Sequence, residues 1–442
     1  MFLVVYEGAL RKWVFPGFQA EIFFVKDLIL VLAYVNFLGS RNLPGAHLKV
    51  MAPLKGLVLI SLVYFSFELI NPNSPSILVS LSGLKNYLLY VPIAFIVPYM
   101  FTSSEDLEHK LRKYAFLMLP CVALGIVQFA FPPTHWINGY LSHDSENLGM
   151  GEVFGGEIEK VRSIGTFSYI GGYTVFLTVM FYIVAGLAAK SRWKISGNAW
   201  LLAYLVLTVA AMFTTGSRAP IWWLIATWPL ALGIWGRGGL LSMSVAWRMI
   251  LAGVVIWGLA QLLASDAFDA YSYRAGHASD TISRVFSPLS QAWAALLVGG
   301  PIGMGIGSTS GGAVSIMGTT DFWWLNGMFF EVETARVLQE AGIVGFILVY
   351  AARVWLLVKA INLGGRFRNP LYIGLSGVMA CLFLQDLVLG FVINNATVGI
   401  YHWFAAGLLF AMYRLQVAES ARTNELPVRA YGRVTAYRQI RA

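Results

Sequence analysis

The chain has 442 residues, 58% of them hydrophobic and 12% charged, with a formal net charge of +9. Soluble domains carry about 25% charged residues, so this composition excludes an ordinary water-soluble globular protein and points to an all-α, polytopic membrane helix bundle. The positive excess fits basic connectors between spans, or attraction to anionic lipid or a phosphate-bearing substrate, with membrane lipids and not nucleic acid as the expected surroundings.

In chain order, Glu7, Arg11 and Lys12 interrupt the first apolar stretch and no small-residue cleavage site follows. A cleavable signal peptide is therefore not expected, and the first true span should direct insertion. Apolar segments of roughly 17 to 22 residues, matched to a hydrocarbon core about 30 Å thick, then predict spans at 22–39, 53–70, 86–101, 114–131, 169–189, 198–214, 219–235, 246–264, 340–361, 370–392 and 398–416. About 11–12 transmembrane helices are expected, in a single integral membrane domain over 1–416, with 417–442 a basic cytoplasmic tail expected to be disordered. Cys121 and Cys381 both fall inside spans, where they read as packing residues and suggest no disulfide framework.

The connectors alternate in character. One set is basic: Arg41, Lys49 and Lys55; Lys110, Arg112 and Lys113; Lys190, Arg192 and Lys194; Arg237 and Arg248; Lys359, Arg366 and Arg368. The other set, 71–85, 132–168, 215–218 and 265–339, is richer in Gly, Asp, Glu and His. The positive-inside rule makes the first set and the C-terminus cytoplasmic and places the large loop 265–339 on the exterior or periplasmic face. The register breaks at the N-terminus, where Arg11 and Lys12 fall on the wrong side. Either a short helix dips into the outer leaflet there, or upstream residues complete a twelfth span. Residues 287–310 are apolar but broken by Pro288, Gly299, Gly300, Pro301, Gly303, Gly305 and Gly307. Irregular backbone at membrane depth needs protein or a water-filled cavity around it, so a re-entrant helix near 288–298 followed by a glycine-rich loop is expected.

Arginines on the outer side run against the topology bias. Arg218, in the turn Thr214–Arg218, reads either as a side chain snorkelling to the headgroups or as a guanidinium clamping a phosphate with its planar fork. Arg284 reads as a partner of Asp280 or Asp266, or as a second phosphate ligand; Arg274 reads as a solvated loop charge or a weaker ligand. Glu331 and Glu333 are two positions apart, so on a helix they point to different faces and at most one is expected to share a cavity with Arg336. Glu340, at the predicted start of span 340–361, sits where a helix dipole favours a carboxylate. Lys26, Asp27 and Arg353 lie inside spans and must be paired or face the bundle interior. The run Gly303-Met304-Gly305-Ile306-Gly307 resembles a dinucleotide loop but follows no strand, so tight turning and close packing are expected of it. His135, His143, His277 and His402 show no ligand spacing, and no metal is assigned.

Several of these pieces together resemble the O-antigen ligase and O-antigen polymerase superfamily of the bacterial inner membrane. They are Thr215-Gly216-Ser217-Arg218, Arg284 with Trp293 in SRVFSPLSQAWAAL, the run GGPIGMGIGS, and EVETARVLQEAGIVGF. In the ligases the last segment carries His-Asn, nine residues, then Gly-x-x-Gly; here the spacing to Gly342 and Gly345 is kept, but Glu331 and Val332 hold the first two places. The opening EGALRKWVFPG is similar to a subgroup of exopolysaccharide polymerase-like proteins. The resemblance implies a glycosyltransferase that takes a glycan from a polyprenyl-diphosphate-linked donor to the hydroxyl of a glycan or lipid-linked acceptor, without cofactor or metal. It implies Arg218 and Arg284 as catalytic cations and Glu331 as the base, with Arg336, Arg274 and Glu333 binding substrate. A polytopic transporter or flippase for a lipid-linked or anionic substrate is the alternative, in which Lys26, Asp27 and Arg353 carry more weight.

Overall fold

The computed structural model describes residues 1–39, 48–141, 148–155, 158–194, 198–276, 281–319, 330–388 and 390–439. Asp280, His143 and His277 lie outside them, as does the side chain of Arg284. Among the described residues the fold is helical apart from two small antiparallel pairs, β1 (Tyr140–Leu141) with β2 (Leu148–Gly149) and β3 (Val153–Gly155) with β4 (Ile158–Val161). Among the described residues ten helices are long and apolar enough to cross a membrane, consistent with an all-α polytopic bundle.

The chain opens with α1 (Phe2–Ala9), a π-helical turn at Leu10–Val14 and a 3-10 turn at Pro16–Phe18. Then come α2 (Gln19–Gly39), α3 (Leu48–Phe67), α4 (Ile77–Leu88), the short α5 (Ile93–Ile96) and α6 (Ser104–Phe129). The predicted span 86–101 is corrected here: its helix begins at Ile77 and breaks ahead of Pro92, whose ring cannot continue the hydrogen-bond ladder. After the strands follow α7 (Ile170–Lys190), α8 (Ala199–Thr214), α9 (Ala219–Arg237), α10 (Met243–Leu263), α11 (Ser265–Gly276), α12 (Thr281–Gly299) and α13 (Gly311–Met317). The last three long helices are α14 (Glu333–Gly364), α15 (Pro370–Val388) and α16 (Ala396–Gln439). The span predicted at 198–214 is the 16-residue α8, shorter than the other ten. Helices α7, α15 and the apolar part of α16 form the buried centre, while α2, α3 and α10 line the rim with exposed Leu, Ile and Val.

Contacts sort the helix termini onto two ends. The Ser163 N–H donates to the Thr214 carbonyl at 2.9 Å, Asn395 Nδ2 donates to the Tyr169 hydroxyl at 2.6 Å, and the Ile393 N–H donates to Glu333 Oε1 at 2.6 Å. The starts of α7, α14 and α16 and the end of α8 therefore lie together. The opposite end is basic: Arg112 and Lys190 both bind Glu108, Arg248 reaches the Arg192 carbonyl, and Arg414 caps the Pro98 and Phe101 carbonyls.

Helix α14 is sharply bent. Gly342 has φ 60 and ψ −164, which only glycine adopts readily, and a Cβ there would lie 2.2 Å from the Pro301 carbonyl oxygen. Glu333 and Arg353 are twenty residues apart, about 30 Å along a straight helix. Their side chains nevertheless meet at 2.7 Å, so the arm 333–341 folds back against the arm 343–364. The bend also accounts for length, since 32 residues in one line would reach about 48 Å and overshoot the hydrocarbon core. Backbone groups freed by the bend find partners. Tyr64 donates to the Ala341 carbonyl at 2.8 Å, the Ile343 N–H to the Pro301 carbonyl at 3.0 Å, and the Met304 N–H to the Gln339 carbonyl at 2.7 Å.

Candidate functional site

The glycine run supplies the groove in which the bent arm rests. Gly303, Gly305 and Gly307 have φ of 90, 90 and 84, and a Cβ on them would lie 2.5 Å from the Glu340 carbonyl, 2.6 Å from Ser74 Cβ and 2.5 Å from the Val79 carbonyl. Close backbone approach to α4, Ser74 and α14 accounts for glycine at these positions. Helix α12 packs along the other side of the arm. Gln291 Oε1 accepts from the N–H groups of Glu331 and Val332 at 3.0 and 3.3 Å, and Thr334 donates to the Pro288 carbonyl at 3.0 Å.

The arm itself carries Glu333, Arg336 and Glu340 at i, i+3 and i+7, one face of a helix. Glu333 is buried; it pairs with Arg353 through one oxygen and accepts from the Ile393 and Asn394 N–H groups through the other. Arg353 also donates to the Asp386 carbonyl at 3.1 Å, and the Asp386 carboxylate meets His402 Nδ1 at 2.8 Å. Glu333 thus ties the turn before α16 to the bundle core. Glu340 is not at a helix start, as expected from the sequence, but two turns into the arm, because the arm begins seven residues earlier. Its carboxylate is buried and held by hydrogen bonds instead of a dipole: from the Thr309 N–H at 2.9 Å, the Thr309 hydroxyl at 2.6 Å and the Tyr87 hydroxyl at 2.9 Å.

Arg336 is half-buried and is the centre of the constellation. It donates to the Phe330 carbonyl at 2.7 Å and the Thr309 carbonyl at 3.5 Å, and it lies over the Phe391 ring. Its electrostatic neighbours are Glu340, Glu333, Tyr169 and Glu331, yet no carboxylate of a described residue forms an ion pair with it. Glu331 is exposed at the tip of the arm. The expected sharing of one cavity by Arg336 and a single glutamate therefore becomes a division: Glu331 outward, Glu333 and Glu340 inward, Arg336 between them.

Arg218 precedes α9, half-buried, on the turn that receives Arg162 Nε at the Thr215 carbonyl, 2.9 Å away. Burial pushes the Tyr271 phenol of α11 up, and the charge of Arg218 offsets part of that shift, so the two share one neighbourhood. Arg274 lies one turn further along α11. Arg284 lies in the first turn of α12. No hydrogen bond or ion pair among the described residues joins Arg218 to Glu331 or Arg336; segment 163–169 connects their surroundings, touching Thr214 at one end and Asn395 at the other.

Neither a protein family nor a curated protein matches this chain. The reading of the site consequently rests on residues alone.

Lys26, Asp27 and Arg353, the intramembrane charges, are all paired. Lys26 binds Glu7 at 2.9 Å, and Asp27 binds Lys85 at 2.6 Å and accepts from Tyr90 at 2.9 Å. The sequence reading missed Tyr87, Tyr169, Thr309 and Asn395. The first three are uncharged residues on other elements, for which spacing gives no signal; Asn395 stands in an Asn-Asn pair just before a predicted span, a cue for a capped helix start.

Proposed function

We propose that the protein is a lipid-diphosphate-dependent glycosyltransferase of the O-antigen ligase or polymerase type. The observation that carries this reading is a half-buried guanidinium, Arg336, whose partners among the described residues are two carbonyls and the Phe391 ring, set beside an exposed carboxylate, Glu331, on a folded-back helical arm. Guanidinium groups in a water-poor site stabilise developing phosphate charge most strongly when no carboxylate already neutralises them. In the reaction an acceptor hydroxyl attacks the anomeric carbon, the bond from that carbon to the diphosphate oxygen breaks, and the hydroxyl proton passes to Glu331. Arg336 takes the departing diphosphate, with Arg218 and Arg284 on the neighbouring turn and helix, and Arg274 further along the donor's path. Glu333 positions the arm. Helix α12 is read as the re-entrant helix of the periplasmic loop, its exposed Phe286, Leu289, Trp293 and Leu297 facing lipid, and the basic end is read as cytoplasmic. Lys26, Asp27 and Arg353, the charges on which the transport reading leans, are paired with Glu7, Lys85 and Glu333.

Purified protein in lipid nanodiscs, given a polyprenyl-diphosphate oligosaccharide and an acceptor glycan, should release polyprenyl diphosphate as product forms. Glu331→Gln and Arg218→Ala should remove that release while the protein stays monodisperse. Wild-type turnover by Glu331→Gln would falsify the assignment of the base, and no turnover by the wild-type chain with any lipid-linked glycan would remove the reading itself.

A further inference from the structure

A second cluster of charge lies at the corner between α1 and α2. Four cations, Arg11, Lys12, Lys26 and Lys85, share two carboxylates, Glu7 and Asp27. Glu7 and Asp27 are each committed to a lysine. Among the described residues Lys12 pairs with no carboxylate; it donates to the Gly165 and Phe167 carbonyls at 3.3 and 2.8 Å. Arg11 is the least satisfied. Its Nη1 reaches Glu7 and Ser168 only at 3.4 Å each, and its Nε is buried without a partner. Burial pulls the Arg11 guanidinium down from its ordinary value, with Glu7 offsetting part of the shift.

Both residues sit in the π-helical turn Leu10–Val14, closed by the Phe15 N–H on the Leu10 carbonyl at 2.8 Å. Such turns are uncommon in proteins and concentrate at functional sites. Around the turn the surface is aromatic. Phe15 and Phe18 are exposed, and Trp13 donates to the carbonyl of exposed Trp136, a grouping typical of the headgroup level of a bilayer. A cluster with more cations than carboxylates, a guanidinium whose Nε has no partner, and an aromatic collar suit a phosphate borne on a lipid.

We propose that the Leu10–Val14 turn binds the phosphate or diphosphate headgroup of a membrane lipid, with Arg11 as its donor. This cluster shares no hydrogen-bond partner with Arg336 and its binding of lipid stands whether or not the chain transfers glycans. Its test uses full-length protein in nanodiscs of phosphatidylcholine, titrated with undecaprenyl diphosphate or with dioleoylphosphatidylglycerol and read by native mass spectrometry. In an Arg336→Ala background, binding should persist; adding Arg11→Gln should weaken it at least about tenfold, and Arg11→Lys should recover only part. Stronger retention of the diphosphate identifies a lipid-linked substrate as the source of the phosphate, and equal retention identifies bulk anionic lipid. In parallel, phenylglyoxal labelling of wild-type protein should show Arg11 protected by the lipid, which keeps the test independent of how well the variants fold. Unchanged affinity in Arg11→Gln, or Arg11 labelling indifferent to both lipids, overturns the proposal.

Discussion

Two arginines on the same bent helix occupy opposite situations. Arg353, on the long arm, is 2% exposed and meets the Glu333 carboxylate at 2.7 Å. Arg336, on the short arm, has carboxylates around it, but among the described residues its hydrogen bonds go to carbonyl oxygens. The first arrangement is closed: every nearby anion is committed, and the pair holds the arm against the bundle. The second is open, since carbonyls orient a guanidinium without cancelling its charge, and an incoming anion would complete it. The kind of partner, more than burial or charge count, separates the structural arginine from the candidate functional one.

The largest expected effect breaks the closed side. Arg353→Met leaves Glu333 buried and unpaired, which should destabilise the protein by about 3–5 kcal/mol, seen as loss of monodisperse protein in detergent; Arg353→Met with Glu333→Gln should recover most of it. If the single variant is as stable as wild type, the closed arrangement is not what holds the arm. The open side should respond differently. Arg336→Ala should lower glycan transfer by about 10²–10³-fold, the scale of losing one transition-state donor, with little change in melting temperature. A large drop in stability with unchanged turnover per folded molecule would put Arg336 among the structural residues. Gly342→Ala, which strains the bend joining the two arms, should lower stability by about 1–3 kcal/mol and reduce transfer through misplacement of Arg336. A neutral result would mean that the bend tolerates a side chain despite the 2.2 Å approach to Pro301.

Most of the bundle was legible because hydrocarbon thickness imposes a length and composition on every span. The predicted 340–361 agrees with the long arm 343–364. The short arm was hidden for a physical reason: Glu333, Arg336 and Glu340 depress its hydropathy, and it was read as part of a loop. The i, i+3, i+7 spacing of those charges was the available cue to a helix. The partners of the arm were not legible, because Tyr87, Thr309 and Ile393 come from α4, the glycine loop and the turn before α16, and only the fold brings them together. At the N-terminus, Arg11 and Lys12 break the charge rule. The structure shows why they are tolerated there: they are tied to Glu7, Ser168 and backbone carbonyls, so neither is a freely solvated loop charge.

Lys12 gives the finest contrast with Arg353, as a buried cation whose partners among the described residues are carbonyls and the Trp13 ring. Burial lowers its ammonium to about 7, from an ordinary value of 10.5. Between those two values the unfolded chain holds a proton that the folded chain has released, so stability contributed at Lys12 should rise as pH increases from about 7 to about 10, by at most about 1.4 kcal/mol per pH unit. Below about 7 both states are protonated and the contribution should be flat at its least favourable level. Melting temperatures of wild type and Lys12→Met, taken across this range in one detergent, isolate the effect, because every other titrating group is common to both. The wild-type curve should climb relative to the variant above pH 7. Parallel curves would mean that the Gly165 and Phe167 carbonyls stabilise the ammonium well enough to cancel its desolvation, and Lys12 would then bring a full positive charge to the turn that holds Arg11.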